Sequence, residues 1–217
     1  MTIDEKKKAL EELSKELKAC GGGPLKAPGI NPVFGEGNPD SRVMFIGEAP
    51  GFNENQQQRP FVGQAGKLLR KNLVANGFPE EDVYITNIVK FRPPENRDPT
   101  LEEMEFFKPF LDKQIEIIEP EYIVTLGRFS MYKFLGIGVS ISRIHGQPRS
   151  INFRGKGVTI YPMYHPAAAF RQGSVMRDFE EDFKKFRLLV DQVHEPVKPV
   201  IEKEKIQTDI AKQLELI

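Results

Sequence analysis

The chain has 217 residues, 39% of them hydrophobic, and a formal net charge of zero. That length suits one domain of ordinary size plus appendages, and the neutral total excludes a basic non-specific nucleic-acid coat, so any contact with nucleic acid must rest on a local patch. A single cysteine, Cys20, excludes an internal disulfide framework and, alone, any metal or cluster site built from cysteines.

Met1 to Lys18 is charged throughout. It carries no signal, targeting or membrane-spanning run, so the sequence reads as a soluble intracellular protein. Asp4 to Lys18 is predicted as an amphipathic helix with Leu10, Leu13 and Leu17 on one face and Asp4 as its cap. Cys20 to Asp40 is rich in Gly and Pro and reads as irregular loop. Val43-Met44-Phe45-Ile46 has the unbroken apolar run of a buried parallel strand. Gly47 to Gly63, GEAPGFNENQQQRPFVG, leads from that strand to a helix over Gln64 to Ala75, with Ala65, Leu68, Leu69 and Leu73 at helical spacing. A long strand-to-helix loop at the carboxyl end of a strand is where open α/β sheets place ligand sites. This one carries two carboxylates, Glu48 and Glu54, and an aromatic, Phe61.

Val83 to Val89 is β-rich and reads as a second strand. Lys90 to Pro99, KFRPPENRDP, holds Pro93, Pro94 and Pro99 and must be loop. Thr100-Leu101-Glu102-Glu103 is a capping box opening a helix to about Ile118. Tyr122 to Leu126 is a third strand, Gly127 to Leu135 a short helix, and Val158 to Tyr164 a fourth strand stopped by His165-Pro166. Arg177 to Val193 is a last helix with a core stripe of Phe179, Phe183, Phe186 and Leu189. Alternating strands and helices predict a three-layer α/β/α sandwich with a central four-stranded parallel sheet. The domain is expected over 1–195. Residues 196–217 are expected to form a proline-containing linker and a short helix with Ile206, Ile210, Leu214 and Ile217 on one stripe.

The candidate groups all follow strand ends: Glu48, Glu54 and Phe61 after the first, Asn87 late in the second, His165 after the fourth. Right-handed crossovers bring such ends to one edge of the sheet. An amide, an imidazole, carboxylates and an aromatic face make a poor metal site. They suit a flat neutral heterocycle, stacked on the ring, read at its edge by the amide, and steadied by a donor as charge develops.

GEAPG, PFVG, YITNIVKFRPPENR, PEYIVTLG and HPAAAFR, in this order, resemble the family-4 uracil-DNA glycosylases over about Arg42 to Leu188. The resemblance implies hydrolysis of the N-glycosidic bond of uracil in DNA after the base is extruded from the stack. It implies that Phe61 stacks on uracil and that Asn87 binds O4 and N3–H. Ala49 and Gly51 line the uracil site, and Glu54 obstructs the thymine methyl. His165 bonds O2 of the leaving base, and Glu48 places or activates water or holds the sugar cation. It further implies a DNA-inserting loop with Phe170 as wedge beside Ala168 and Arg171, and phosphate contacts from Lys90, Arg92, Arg97 and Arg171. The family usually holds a four-iron–four-sulfur cluster on four cysteines. Here only Cys20 remains, with Gly23, Phe91 and Phe107 in place of the others, so no cluster, metal or other cofactor is expected. The implied protein is a cytoplasmic, nucleoid-associated prokaryotic monomer whose partner is uracil-containing DNA. Its C-terminal helix either docks on the domain or binds a partner such as a replication clamp. Competing readings are a non-catalytic binder of damaged or single-stranded DNA and an α/β enzyme acting on free nucleotides; no P-loop or metal-ligand cluster supports the latter.

Overall fold

The computed structural model describes residues 1–192. Met1–Arg187 forms one compact unit. The expected linker and helix over 196–217 lie outside the described residues.

Helix α1 (Ile3–Ala19) is capped by Thr2, two residues before the expected cap Asp4. The Thr2 hydroxyl accepts from the Glu5 amide at 3.3 Å, and the Glu5 carboxylate accepts from the Thr2 amide at 2.7 Å. This reciprocal box satisfies two end groups at once, and Asp4 is left to favour the positive end of the helix dipole. Then follow β1 (Glu36–Gly37), β2 (Val43–Gly47), α2 (Phe52–Gln57), α3 (Gln64–Ala75), β3 (Val83–Asn87), α4 (Leu101–Ile118) and β4 (Tyr122–Leu126). The chain continues through α5 (Arg128–Leu135), α6 (Ile141–Ile144), β5 (Arg149–Phe153), β6 (Lys156–Met163), α7 (Pro166–Arg171) and α8 (Gly173–Gln192).

The sheet has six strands in the order β1-β3-β2-β4-β6-β5. The four inner strands are parallel, as expected, and β1 and β5 add an antiparallel strand at each edge. Both edge strands escaped the sequence reading for physical reasons. β1 is two residues long. β5, RSINF, is largely exposed and lacks an apolar run; it is turned into β6 by Arg154 and Gly155, both at positive φ. The second strand stops at Asn87, although the Ile88 and Val89 amides still bond the Gly47 and Glu48 carbonyls at 3.0 Å.

Period-2 alternation along β2 divides the core between two helical layers. Met44 and Ile46 pack with Leu10, Leu13 and Leu17 of α1 and Leu111 and Ile115 of α4. Phe45 points the other way, stacked on Phe183 of α8 at 6.0 Å and edge-on to Phe186 at 6.2 Å. Phe186 also meets Tyr161 at 4.8 Å, so the aromatic stripe of α8 is core. No helix among the described residues is long and apolar enough to cross a membrane.

Candidate active site

Parallel pairing brings the carboxyl ends of β2, β3, β4 and β6 to one edge. Gly47 is in register with Asn87, and Leu126 with Met163. A cavity of about 640 Å³ opens there, within the ordinary range of small-molecule clefts. Glu48, Glu54, Phe61, Asn87, Tyr164 and His165 are among its walls, together with Ala49 and Gly51 from the loop after β2.

The floor is built by close approach. A Cβ on Gly47 would overlap both the Asn87 amide oxygen and the tip of the Phe61 ring, so only glycine lets the two groups meet. Phe61 is buried, and its ring lies 5.9 Å from that of His165, tilted by 34°. Asn87 is 2% exposed, and its Oδ1 accepts no hydrogen bond from the protein. A buried acceptor left without a partner costs roughly 1–3 kcal/mol. Asn87 lines the cavity, and its Oδ1 meets the tip of the Phe61 ring over Gly47, so an N–H of a ligand bound there is the group that would satisfy it.

His165 caps α7: its Nδ1 accepts from the Ala167 amide at 3.1 Å. That bond requires Nδ1 to be unprotonated, so in the neutral ring Nε2 carries the proton. Burial, reinforced by the Arg171 charge and opposed by Glu54, pushes the His165 pKa down to about 4. At neutral pH His165 is therefore a neutral donor. Glu48 is displaced in the opposite sense. Burial, and secondarily the charge of Asp98, raise its pKa to about 7, with Arg128 opposing. Arg128 and Asp98 are themselves ion-paired at 2.5 Å in the cavity wall.

Glu54 has a second task that its sequence position does not disclose. Its Oε1 accepts from the Val62 and Gly63 amides at 2.9 and 2.7 Å. Gly63 begins α3 without a side chain to cap it. The Glu54 carboxylate supplies that cap from outside the helix, at the end where negative charge is favoured.

Among the expected DNA contacts, Phe170 is 60% exposed on α7, and Ala168 and Arg171 line the cavity. Arg97 also lines it, with its guanidinium held by both oxygens of Glu103 at 2.9 and 2.5 Å. Arg92 lies 5.2 Å over the exposed Phe52 ring and donates to Asn96 at 2.7 Å. Lys90 is a correction. It is fully buried, and its Nζ donates to Gln114 Oε1 at 2.5 Å and Thr86 Oγ1 at 2.7 Å. Burial, with Lys133 adding to it, drives its pKa well below the ordinary lysine value. Lys90 ties β3 to α4 and reaches no phosphate.

The sequence reading missed Gly127, Arg128, Asp98 and Tyr164, all in the cavity wall. Gly127 was within reach, because it follows a parallel strand as Glu48 does. Its φ is +92°, and it lies against the Cβ of His165. Asp98 and Arg128 carry no such signal, since thirty residues separate them.

The side chains where the family's cluster would sit do not fit one. The Cys20 Sγ donates to the Leu17 carbonyl at 3.0 Å. The rings of Phe91 and Phe107, 2% and 0% exposed, stack at 5.6 Å, and Phe106 meets Phe107 edge-on at 5.0 Å. A Cβ on Gly23 would overlap the Phe106 ring, which accounts for the glycine there. Among the described residues no group of three or more His, Cys, Asp and Glu is placed to hold a metal ion.

Fold and site together define a three-layer α/β/α protein with an aromatic ring, an amide, an imidazole and carboxylates gathered at the carboxyl edge of its sheet. A family model described as the uracil DNA glycosylase superfamily matches residues 34–188. The chain is 44% identical to a type-4 uracil-DNA glycosylase of Sulfurisphaera tokodaii, covering 83% of this chain and 84% of that one. It is 43% identical to one of Thermotoga maritima (83% and 94% covered) and 41% identical to one of Archaeoglobus fulgidus (82% and 91% covered). The chain belongs to the uracil-DNA glycosylase superfamily.

Proposed function

We propose that the protein is a monofunctional DNA repair glycosylase that hydrolyses the N-glycosidic bond of uracil in DNA. The observation that carries this reading is the buried, unbonded Oδ1 of Asn87 near the tip of the Phe61 ring. Uracil N3–H satisfies that oxygen while the Asn87 amide N–H donates to O4. Cytosine presents the opposite pattern and is refused. Phe61 stacks on the extruded ring.

The chemistry follows from the two displaced pKa values. Water oxygen attacks C1′ as the C1′–N1 bond breaks, and the electron pair leaves on the uracil ring. The Nε2–H of neutral His165 donates to O2, where that charge gathers. Glu48, ionised, orients the water and takes its proton. Phe170 wedges into the stack, and Arg92, Arg97 and Arg171 contact phosphates, Arg97 while shared with Glu103. The chemistry needs no cofactor, and the aromatic packing around Phe107 stands in for the cluster. The protein works as a monomer in the prokaryotic cytoplasm on nucleoid DNA. Its segment after 195 is assigned to docking or to a clamp, which the melting temperature and clamp binding of a chain lacking Val200 to Ile217 distinguish.

The test is release of uracil from a strand with one uracil, read as alkali-labile cleavage. A non-catalytic DNA-binding relative would bind the strand and leave it uncut. The pH dependence follows from Glu48. Below about pH 7 its carboxyl is protonated and cannot accept a proton; above it the carboxylate is present. Excision is therefore expected to rise through pH 7 and level off, and Glu48→Gln to lose the rise. A wild-type profile flat between about pH 5.5 and 8.5 would remove Glu48 from this role.

Glu54 gives a sharper expectation than steric exclusion alone. Glu54→Gly opens space for the thymine methyl, yet it also abolishes the cap on α3 and two bonds to a charged acceptor, worth roughly 1.5–3 kcal/mol each. Weak thymine release from T·G duplexes is expected to come with slower uracil release and a lower melting temperature. Glu54→Gln keeps an acceptor oxygen and is expected to hold both near wild type. A wild-type melting temperature in Glu54→Gly would refute the capping role.

A further inference from the structure

Phe61 is the wall of the pocket, yet its backbone is strained. Its φ is +53°, a left-handed conformation that residues with a Cβ rarely adopt. Something outside the residue must hold it there. The Glu54 carboxylate fixes the two amides that follow it, Val62 and Gly63. On the other side two residues of α3 meet its peptide. Gly66 lies against it so closely that a Cβ there would overlap the Phe61 carbonyl. Arg70, one turn further on and hence on the same face of α3, donates from Nε to the Phe61 carbonyl and from Nη2 to the Pro60 carbonyl, both at 2.9 Å.

Arg70 is itself held in place. Its side chain is 15% exposed, and it is ion-paired with Glu36 of β1 at 2.5 Å and with Glu80. Glu36 also takes the Arg59 guanidinium at 2.7 Å, just before Pro60. The planar fork of arginine presents several donors in fixed directions, so one group can bond two successive carbonyls and two carboxylates. A lysine ammonium has three donors and no such fork.

We propose that Arg70 is a positioning residue for base stacking: with Gly66 beneath, it clamps the Pro60 and Phe61 carbonyls and so sets the Phe61 ring against the place of the uracil. This rests on the reading of Phe61 as the stacking residue. Arg70 touches neither the base nor the reacting atoms and acts through Phe61 alone.

The experiment compares wild type, Arg70→Ala, Arg70→Lys, Phe61→Ala and the double variant Phe61→Ala/Arg70→Ala, at a temperature well below every melting midpoint. It measures kcat and KM for uracil release and inhibition by free uracil. Arg70→Lys retains the charge facing Glu36 and Glu80 and serves where Arg70→Ala fails to fold. Phe61→Ala is expected to weaken free-uracil inhibition strongly. Arg70→Ala and Arg70→Lys are expected to weaken it about tenfold, the worth of one charge-assisted hydrogen bond. Arg70→Ala is expected to add almost nothing in the Phe61→Ala background, because residues acting as one unit are not additive. Wild-type inhibition and excision by folded Arg70→Ala or Arg70→Lys would overturn the proposal, as would a full additive effect in the double variant. Normal uracil inhibition by Phe61→Ala would instead overturn the stacking reading on which it rests.

Discussion

Asn87→Ala and His165→Ala are each expected to slow uracil release by about two orders of magnitude, the worth of one hydrogen bond aimed at developing charge, roughly 3 kcal/mol. The two losses differ in their side effects, and those side effects make the prediction sharp. Asn87 Oδ1 is buried without a protein partner, so removing it relieves an unsatisfied group and is expected to leave the melting temperature unchanged or higher. His165 caps α7 through Nδ1, so His165→Ala loses a cap as well as a donor, at a cost of about 1 kcal/mol. His165→Asn separates the two roles, because a shorter amide can still accept from the Ala167 amide but falls short of the base. It is expected to regain stability without regaining rate. Near-normal turnover by both alanine variants would dissolve the assigned roles. A large drop in melting temperature for Asn87→Ala would mean that the amide is a structural group rather than a reserved acceptor.

What the sequence disclosed follows the physics of what it encodes. β2, β3, β4 and β6 were legible because strands buried on both faces read as apolar runs, and parallel topology then fixes which ends carry the site. Phe61, Asn87 and His165 could be placed together on that basis, and the structure brings them to one cavity wall. Local chemistry also read correctly at Thr100, whose hydroxyl and Glu103 close the expected box. Lys90 failed for an instructive reason. A lysine on a proline-rich loop beside arginines has the pattern of a phosphate contact, and only the packing of Thr86, Gln114 and the Phe34 carbonyl reveals where it goes. The same holds for Arg70 on α3, for Glu54 as a cap, and for the Asp98–Arg128 pair that biases Glu48. These are long-range contacts between polar groups, and periodicity carries no information about them. The helix within Gly47 to Gly63 was hidden as well: α2 is six residues long, and FNENQQ has no apolar period to announce it.

Phe107→Ala is expected to destabilise the protein by roughly 3–5 kcal/mol, the usual cost of emptying a buried aromatic site. Phe107 is fully buried at the centre of a ring cluster, stacked on Phe91 and in edge contact with Phe106, with Phe110 at 6.4 Å. Those rings join segments that sequence separates widely. Phe91 heads the loop after β3 that carries Arg92 and Arg97, Phe107 and Phe106 lie on α4, and Gly22 and Gly23 bring the turn after α1 against Phe91 and Phe106. Four thiolates and a cubane would join such segments by covalent bonds; in the cluster-free protein we propose, dispersion and apolar burial of about 150–250 Å² per ring do so. The loss should therefore be local before it is global. Amide exchange in Phe107→Ala is expected to quicken over residues 20–40 and 88–97 while the amides of β2 and β4, at the centre of the sheet, stay protected. Phe107→Leu refills part of the volume and is expected to cost less than half as much. Excision should fall in proportion to the loosening of the loop that follows Asn87, and should recover at lower temperature. Purified, anaerobically handled protein is expected to contain neither stoichiometric iron nor acid-labile sulfide. Finding both would show that the chain holds a cluster on ligands other than four cysteines. A Phe107→Ala variant with wild-type melting and exchange would show that the ring cluster joins nothing, even in a protein free of iron.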